Sequence, residues 1–169
     1  MKKLGLILLV GITLISCSKK DDDGVHHGYF TYEYQNGAWG YQHEGWMMDE
    51  KGKVSSFNLP EHWNGVDSLG YISEAELIEN LENCENKIDQ VSSSKLSSKN
   101  QLVATAVNGD YSERRNLGDD LGRIQYICYN WNSTLNLYQK VVLEESGDIS
   151  YQNLSSEAQE IIKWMKKIK

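Results

Sequence analysis

The chain has 169 residues, with 17 basic and 24 acidic side chains for a net charge of −7. A phosphate-backbone partner is gripped by a basic face, so this acidic balance argues against nucleic acid as a ligand. The length suits one ordinary domain that buries its own core, and five Trp and ten Tyr against two Phe favour rings with a polar edge, suited to half-wet sheet faces and binding surfaces.

The N-terminus reads as a targeting segment. Met1-Lys2-Lys3 is basic, and Leu4 to Ile15 is apolar apart from Gly5, Gly11 and Thr13. A membrane-spanning helix needs roughly 20 apolar residues, so this run is too short to span and fits the ~7–15-residue core of a signal peptide. It ends in Leu14-Ile15-Ser16-Cys17, which resembles the bacterial lipobox. That resemblance implies removal of residues 1–16, a diacylglycerol on the Cys17 thiol and acylation of its new amine. Several chains together anchor a protein firmly to a membrane. Losing Lys2 and Lys3 leaves 15 basic against 24 acidic side chains, a balance of −9, so lipid rather than charge would hold the protein to the bilayer. Ser18-Lys19-Lys20-Asp21-Asp22-Asp23-Gly24 resembles the export signal of surface lipoproteins in Bacteroidota-type bacteria, which implies display on the outer membrane. The same charges make 17–27 a flexible acidic tether. Residues 28–169 then form a single domain.

Tyr29 to Tyr34 alternates and is rich in strand formers. Asn36-Gly37 is a two-residue hairpin signal. It predicts a returning strand through Trp39 and Tyr41 toward Trp46 and Met48, with Gly40 and Gly45 as bulge positions. Asp49-Glu50-Lys51-Gly52 turns the chain into a third strand, Lys53 to Leu59. Residues 60–71 are irregular. Ser73 caps a helix and Glu76 closes a capping box, with Ile72 placed to staple against Leu77. Leu77, Ile78, Leu81, Cys84, Ile88 and Val91 recur at helical spacing. Ser92 to Ser98 reads as a break, before a shorter helix through Leu102, Val103, Ala106 and Val107 that Asn108-Gly109 stops. After a polar loop, Arg123 to Tyr129 and Leu135 to Glu144 form a second hairpin with Asn130 to Thr134 at its tip. A short strand, Ile149 to Tyr151, leads to a last helix opening at Ser155 or Ser156, with Ala158, Ile161, Trp164, Met165 and Ile168 as its stripe. These elements predict an α+β fold: a three-stranded antiparallel meander plus a second hairpin, with about three helices packed on one face.

Chemical motifs are sparse. His26, His27, His43 and His62 lack helical pairing and no Cys-x-x-Cys occurs, so we expect no metal site. Nucleophile elbows and phosphate-cradling glycine loops are also missing, and no cofactor is implied. Asp49-Glu50 and Asp119-Asp120 fall in turns, where solvated acids are the norm. Cys84 and Cys128 remain once Cys17 is lipidated. They either pair, closing a loop of about 45 residues worth roughly 3–4 kcal/mol, or stay as two buried thiols. Trp131 at the hairpin tip and Trp39 beside the Asn-Gly turn are candidate ligand contacts, unless Trp131 folds back onto the sheet. Asp67-Ser68-Leu69 resembles the O-glycosylation signal of exported Bacteroidota-type proteins, which makes Ser68 the modified residue.

The expected role is a non-enzymatic, lipid-anchored envelope protein that binds or supports a protein or glycan partner at the cell surface. A small hydrolase with a catalytic site assembled from distant residues is the rival, and a purely structural envelope protein is third.

Overall fold

A computed structural model describes residues 28–168. The segments expected to be a signal peptide and a tether, with Cys17, His26 and His27, lie outside the described residues. In chain order the elements are β1 (Phe30–Asn36), β2 (Gln42–Met48), β3 (Lys53–Asn58), β4 (Tyr71–Ile72), α1 (Glu74–Glu82), β5 (Asn86–Gln90), α2 (Ser93–Ala106), β6 (Arg115–Asn116), β7 (Arg123–Asn132), β8 (Leu137–Gly147), β9 (Ile149–Gln152) and α3 (Ser156–Met165). The strands join in one sheet of order β5-β3-β2-β1-β7-β8-β9-β6, with β4 pairing to β8. Every pairing between these strands is antiparallel, which makes the fold α+β.

Successive strand residues point to opposite faces, and both faces of this sheet are covered. Phe30, Trp46, Met48, Val54, Cys128, Val141 and Leu143 face α2 and α3, meeting Leu96, Val103, Ile161, Trp164 and Met165. Tyr29, Met47, Ile127, Tyr129 and Tyr138 face the other way, toward Ile72, Leu77 of α1, Trp63 and Val66. The expectation of helices on one face is therefore corrected. Two helices cover one side, and α1 with the irregular 59–70 segment covers the other. Asn80, fully buried, pins that segment: its amide oxygen accepts from Asn64 N at 2.7 Å and its Nδ2 donates to Asn64 O at 3.0 Å.

Local chemistry sets several boundaries. Ser73 caps α1 and Glu76 returns the bond, so the capping box forms as its spacing predicts. The helix stops at Glu82, however. Ile88 lies in β5, whose five residues are all exposed and pair along the edge of β3. The Ser-rich stretch is helical, with Leu96, Lys99, Val103 and Ala106 along its buried face. Ser155 rather than Ser156 caps α3, accepting from Ala158 N, while Gln159 Nε2 donates to Asn153 O. The predicted polar loop contains β6. Asn36 pairs with Gln42, so the first hairpin closes through a five-residue connection, Gly37 to Tyr41, rather than two residues. Gly45 is not a bulge: it keeps register opposite Glu33 and Phe57, and register shifts fall instead between Val54 and Ser55 and between Tyr126 and Ile127.

Candidate functional site

The residues singled out in the sequence scatter over the domain. Trp39 sits at the apex of the β1–β2 connection and is 83% exposed. Trp131 is not at a tip. It belongs to β7, opposite Tyr138, and its ring packs on that tyrosine with centroids 4.9 Å apart, so it folds onto the sheet. Ser68 is exposed in a turn that Asp67 organises by accepting from Leu69 N and Tyr71 N at 2.8 and 2.9 Å.

The two cysteines are free thiols. Cys128 lies among the residues facing α2 and α3, and Cys84 packs against the opposite cluster. The sheet separates them, so the candidate disulfide is not formed. Burial raises both, Cys84 to about 11 and Cys128 to about 12. Neither is a thiolate near neutral pH, and a thiol nucleophile needs that form.

A constellation that sequence reading missed runs across the sheet. Register aligns Phe57, Gly45, Glu33, Gln125, Glu145 and Tyr151 on β3, β2, β1, β7, β8 and β9 in a single row. Glu33, Gln125 and Glu145 are all buried, as is His43 two residues before Gly45. Buried polar groups need partners, and these are linked in series. His43 Nε2 lies 3.5 Å from Glu33 Oε2. Lys140 Nζ reaches Glu33 Oε1 at 3.4 Å and donates to Gln125 Oε1 at 3.1 Å. Gln125 Nε2 in turn donates to Glu145 Oε2, which also accepts from the Tyr151 hydroxyl at 3.3 Å. Gly45 has no room for a side chain, because a Cβ would stand 2.0 Å from the Tyr32 carbonyl oxygen and 3.0 Å from Phe57 Cζ.

The two ends of the row differ. At the β3 end, Phe57 and Trp63 flank the imidazole of His43 edge-on, with centroids 5.1 and 5.3 Å away, and His43 is 2% exposed. Its Nε2 faces Glu33 Oε2 but makes no aligned hydrogen bond among the described residues. Burial works to raise the Glu33 carboxyl, but the facing imidazole of His43 and the charge of Lys140 outweigh it, and Glu33 is held below the usual carboxylate range. It is an ionised acceptor, not a proton donor. At the β9 end the row opens into a groove of about 420 Å³ lined by Tyr111, Ser112, Arg114, Lys140, Val142 and Tyr151. The guanidinium of Arg114 lies 5.4 Å from the centre of the Tyr151 ring. Tyr151 is raised to about 12, first by burial and then by Glu145, so its phenol stays protonated and donates.

This geometry defines an α+β domain with a buried polar row feeding a half-open cationic and aromatic groove. Comparison with protein-family models, with curated proteins and with solved structures finds no match for the chain.

Proposed function

We propose that the chain is a cell-envelope lipoprotein, held to the outer membrane by acyl chains on Cys17 and displayed at the cell surface, whose 28–169 domain binds a protein or glycan partner and does not turn it over. The observation that carries the binding half is the contrast along the polar row. The groups with acid–base or nucleophilic potential are sealed or locked: His43 beneath Phe57 and Trp63, Glu33 ionised, both thiols protonated. The groove lined by Tyr111, Arg114, Lys140 and Tyr151 presents cationic and aromatic groups to solvent, and Trp39 is exposed at the β1–β2 connection. Such surfaces orient and hold a ligand. The anchoring half is supported by the signal core and the Leu14-Ile15-Ser16-Cys17 motif. The acidic run after Cys17 supports surface display, and exposed Ser68 is proposed as an O-glycosylation site. Pairing β1, β2 and β3 as a meander, with β7 and β8 as the second hairpin, supplies the strands on which this row is laid out.

Metabolic labelling with radioactive palmitate tests the anchor. Wild-type protein should incorporate label and partition with membranes, and Cys17→Ser should do neither. A Cys17→Ser protein that remains membrane-bound and normally processed would overturn this reading.

A second reading, a small hydrolase, is favoured by one feature: two carboxylates, Glu33 and Glu145, are buried in one row beside His43. It requires solvent and substrate to reach that row. Turnover of ester or glycoside substrates that disappears in Glu145→Gln, with the melting temperature unchanged, would select it.

A further inference from the structure

We propose that the groove between Tyr111–Arg114 and strands β8 and β9 takes a sugar acid: a ring bearing one carboxylate, of the hexuronate type. This rests on the binding reading above and names its ligand class. The volume of about 420 Å³ lies within the ~300–1,000 Å³ typical of small-molecule sites.

Charge selects the ligand. Lys140 faces Glu33 and Gln125 with two of its donors, so its charge is already offset. Arg114 is different, because among the described residues no carboxylate lies within 4 Å of it. One uncompensated cation matches a monoanion. A carboxylate suits the guanidinium fork, which offers two parallel N–H donors, and the Tyr151 ring beneath restrains the fork. A phosphate dianion fits poorly, since its second charge would meet the field of Glu145 behind Tyr151.

The rest of the lining selects the ring. Tyr111 is 42% exposed, and its ring lies 5.9 Å from that of Tyr151 at 54°, offering an aromatic face for the apolar side of a pyranose. Val142 continues that apolar surface. The Tyr151 hydroxyl donates to Glu145, so its oxygen keeps acceptor capacity for a ligand hydroxyl.

Detergent-solubilised full-length protein titrated by calorimetry with glucuronate, glucose, glucose 6-phosphate and N-acetylalanine tests the assignment. Glucuronate should bind at least about tenfold more tightly than each of the others, the worth of one charge-assisted pair plus the ring contact. Arg114→Gln should lose that preference without moving the melting temperature, because Arg114 is exposed, and Tyr111→Ala should weaken glucuronate while leaving the rank order intact. Failure to bind glucuronate, equal affinity for glucose, tighter binding of glucose 6-phosphate or N-acetylalanine, or an unaltered Arg114→Gln would each overturn the proposal. Palmitate incorporation measured on the same preparations separates the outcomes: normal labelling without glucuronate binding removes the ligand class and leaves the anchored protein standing.

Discussion

Replacing Lys140 by Met should be among the more damaging single changes in the polar row. The methionine fills similar volume, so packing changes little, but Glu33 loses the ammonium 3.4 Å from its Oε1 while its side chain is only 6% exposed. Breaking a buried ion pair costs ~3–5 kcal/mol because a charge is left uncompensated. Lys140 keeps 20% of its side chain in solvent and His43 still faces the carboxylate, so the expected loss is about 3 kcal/mol, the low end. For a domain of this size that lowers the melting temperature by about 6–12 °C. Glu33→Gln should cost less, because the freed ammonium can turn toward the groove. The double variant should cost less than Lys140→Met alone, since no unpaired charge remains. The pH dependence has a fixed sign. Glu33 sits below its ordinary pKa in the folded state, so its contribution is present above the unfolded value and is lost as pH falls through that value toward the folded one. Removing Lys140 raises the folded pKa, so the penalty should be largest near neutrality and shrink as the pH falls and Glu33 takes up a proton. Urea unfolding of the four proteins of the cycle at pH 7 and pH 5 measures all of this. A Lys140→Met loss below about 1 kcal/mol, or a penalty independent of pH, would show that the pair behaves like an exposed one.

Gly45→Ala should lower stability by about 2–3 kcal/mol or more, read as a shifted urea midpoint, because its Cβ would overlap the Tyr32 carbonyl and a backbone cannot yield as a side chain tip does. Intact mass should be unchanged by reductant, and of the two domain thiols Cys84 should alkylate slowly while Cys128 reacts only on unfolding, which time-resolved mass spectrometry checks. Trp39→Ala should leave the melting temperature within experimental scatter, since its side chain is mostly in water; a drop of several degrees in a thermal scan would contradict that placement.

What the sequence disclosed and what it hid follow a physical line. Elements with their own amphipathic or capping signal were legible: Tyr29 to Tyr34, the Ser73–Glu76 box and the stripe of α3 all announce themselves. Elements stabilised by neighbours were not. Asn-Lys-Ile-Asp-Gln of β5 has no buried face and exists because the edge of β3 offers it hydrogen bonds. Cys84, Ile88 and Val91 continued a helical spacing by coincidence. The Ser-rich start of α2 read as a loop because serine competes for backbone bonds, yet packing of Leu96 and Val103 overrode that weak preference. The candidate site was hidden for a related reason. Glu33, Gln125 and Glu145 occupy the polar positions of alternating strands, which a sequence assigns to water. The cover on that face includes Trp63 against His43 and Phe57 at one end of the row and Tyr111 and Arg114 against Tyr151 at the other, in irregular segments that carry no pattern of their own.

That cover explains why the row is polar at all. A sheet buried on both faces gains most from apolar residues throughout, and replacing buried ion pairs with hydrophobic side chains is often neutral or stabilising. The face toward α2 and α3 follows that rule. The opposite face follows it only as far as Met47, Ile127 and Val142, then places Glu33, Gln125 and Glu145 in the next aligned row. Stability alone does not select such a row, but positioning does. The hydrogen bonds that run from Lys140 through Gln125 and Glu145 to Tyr151 fix the Lys140 ammonium and the Tyr151 ring at the rim of the groove, and that ring carries Arg114. Charges locked from behind lose little freedom on meeting a ligand, which is how a shallow groove can bind usefully.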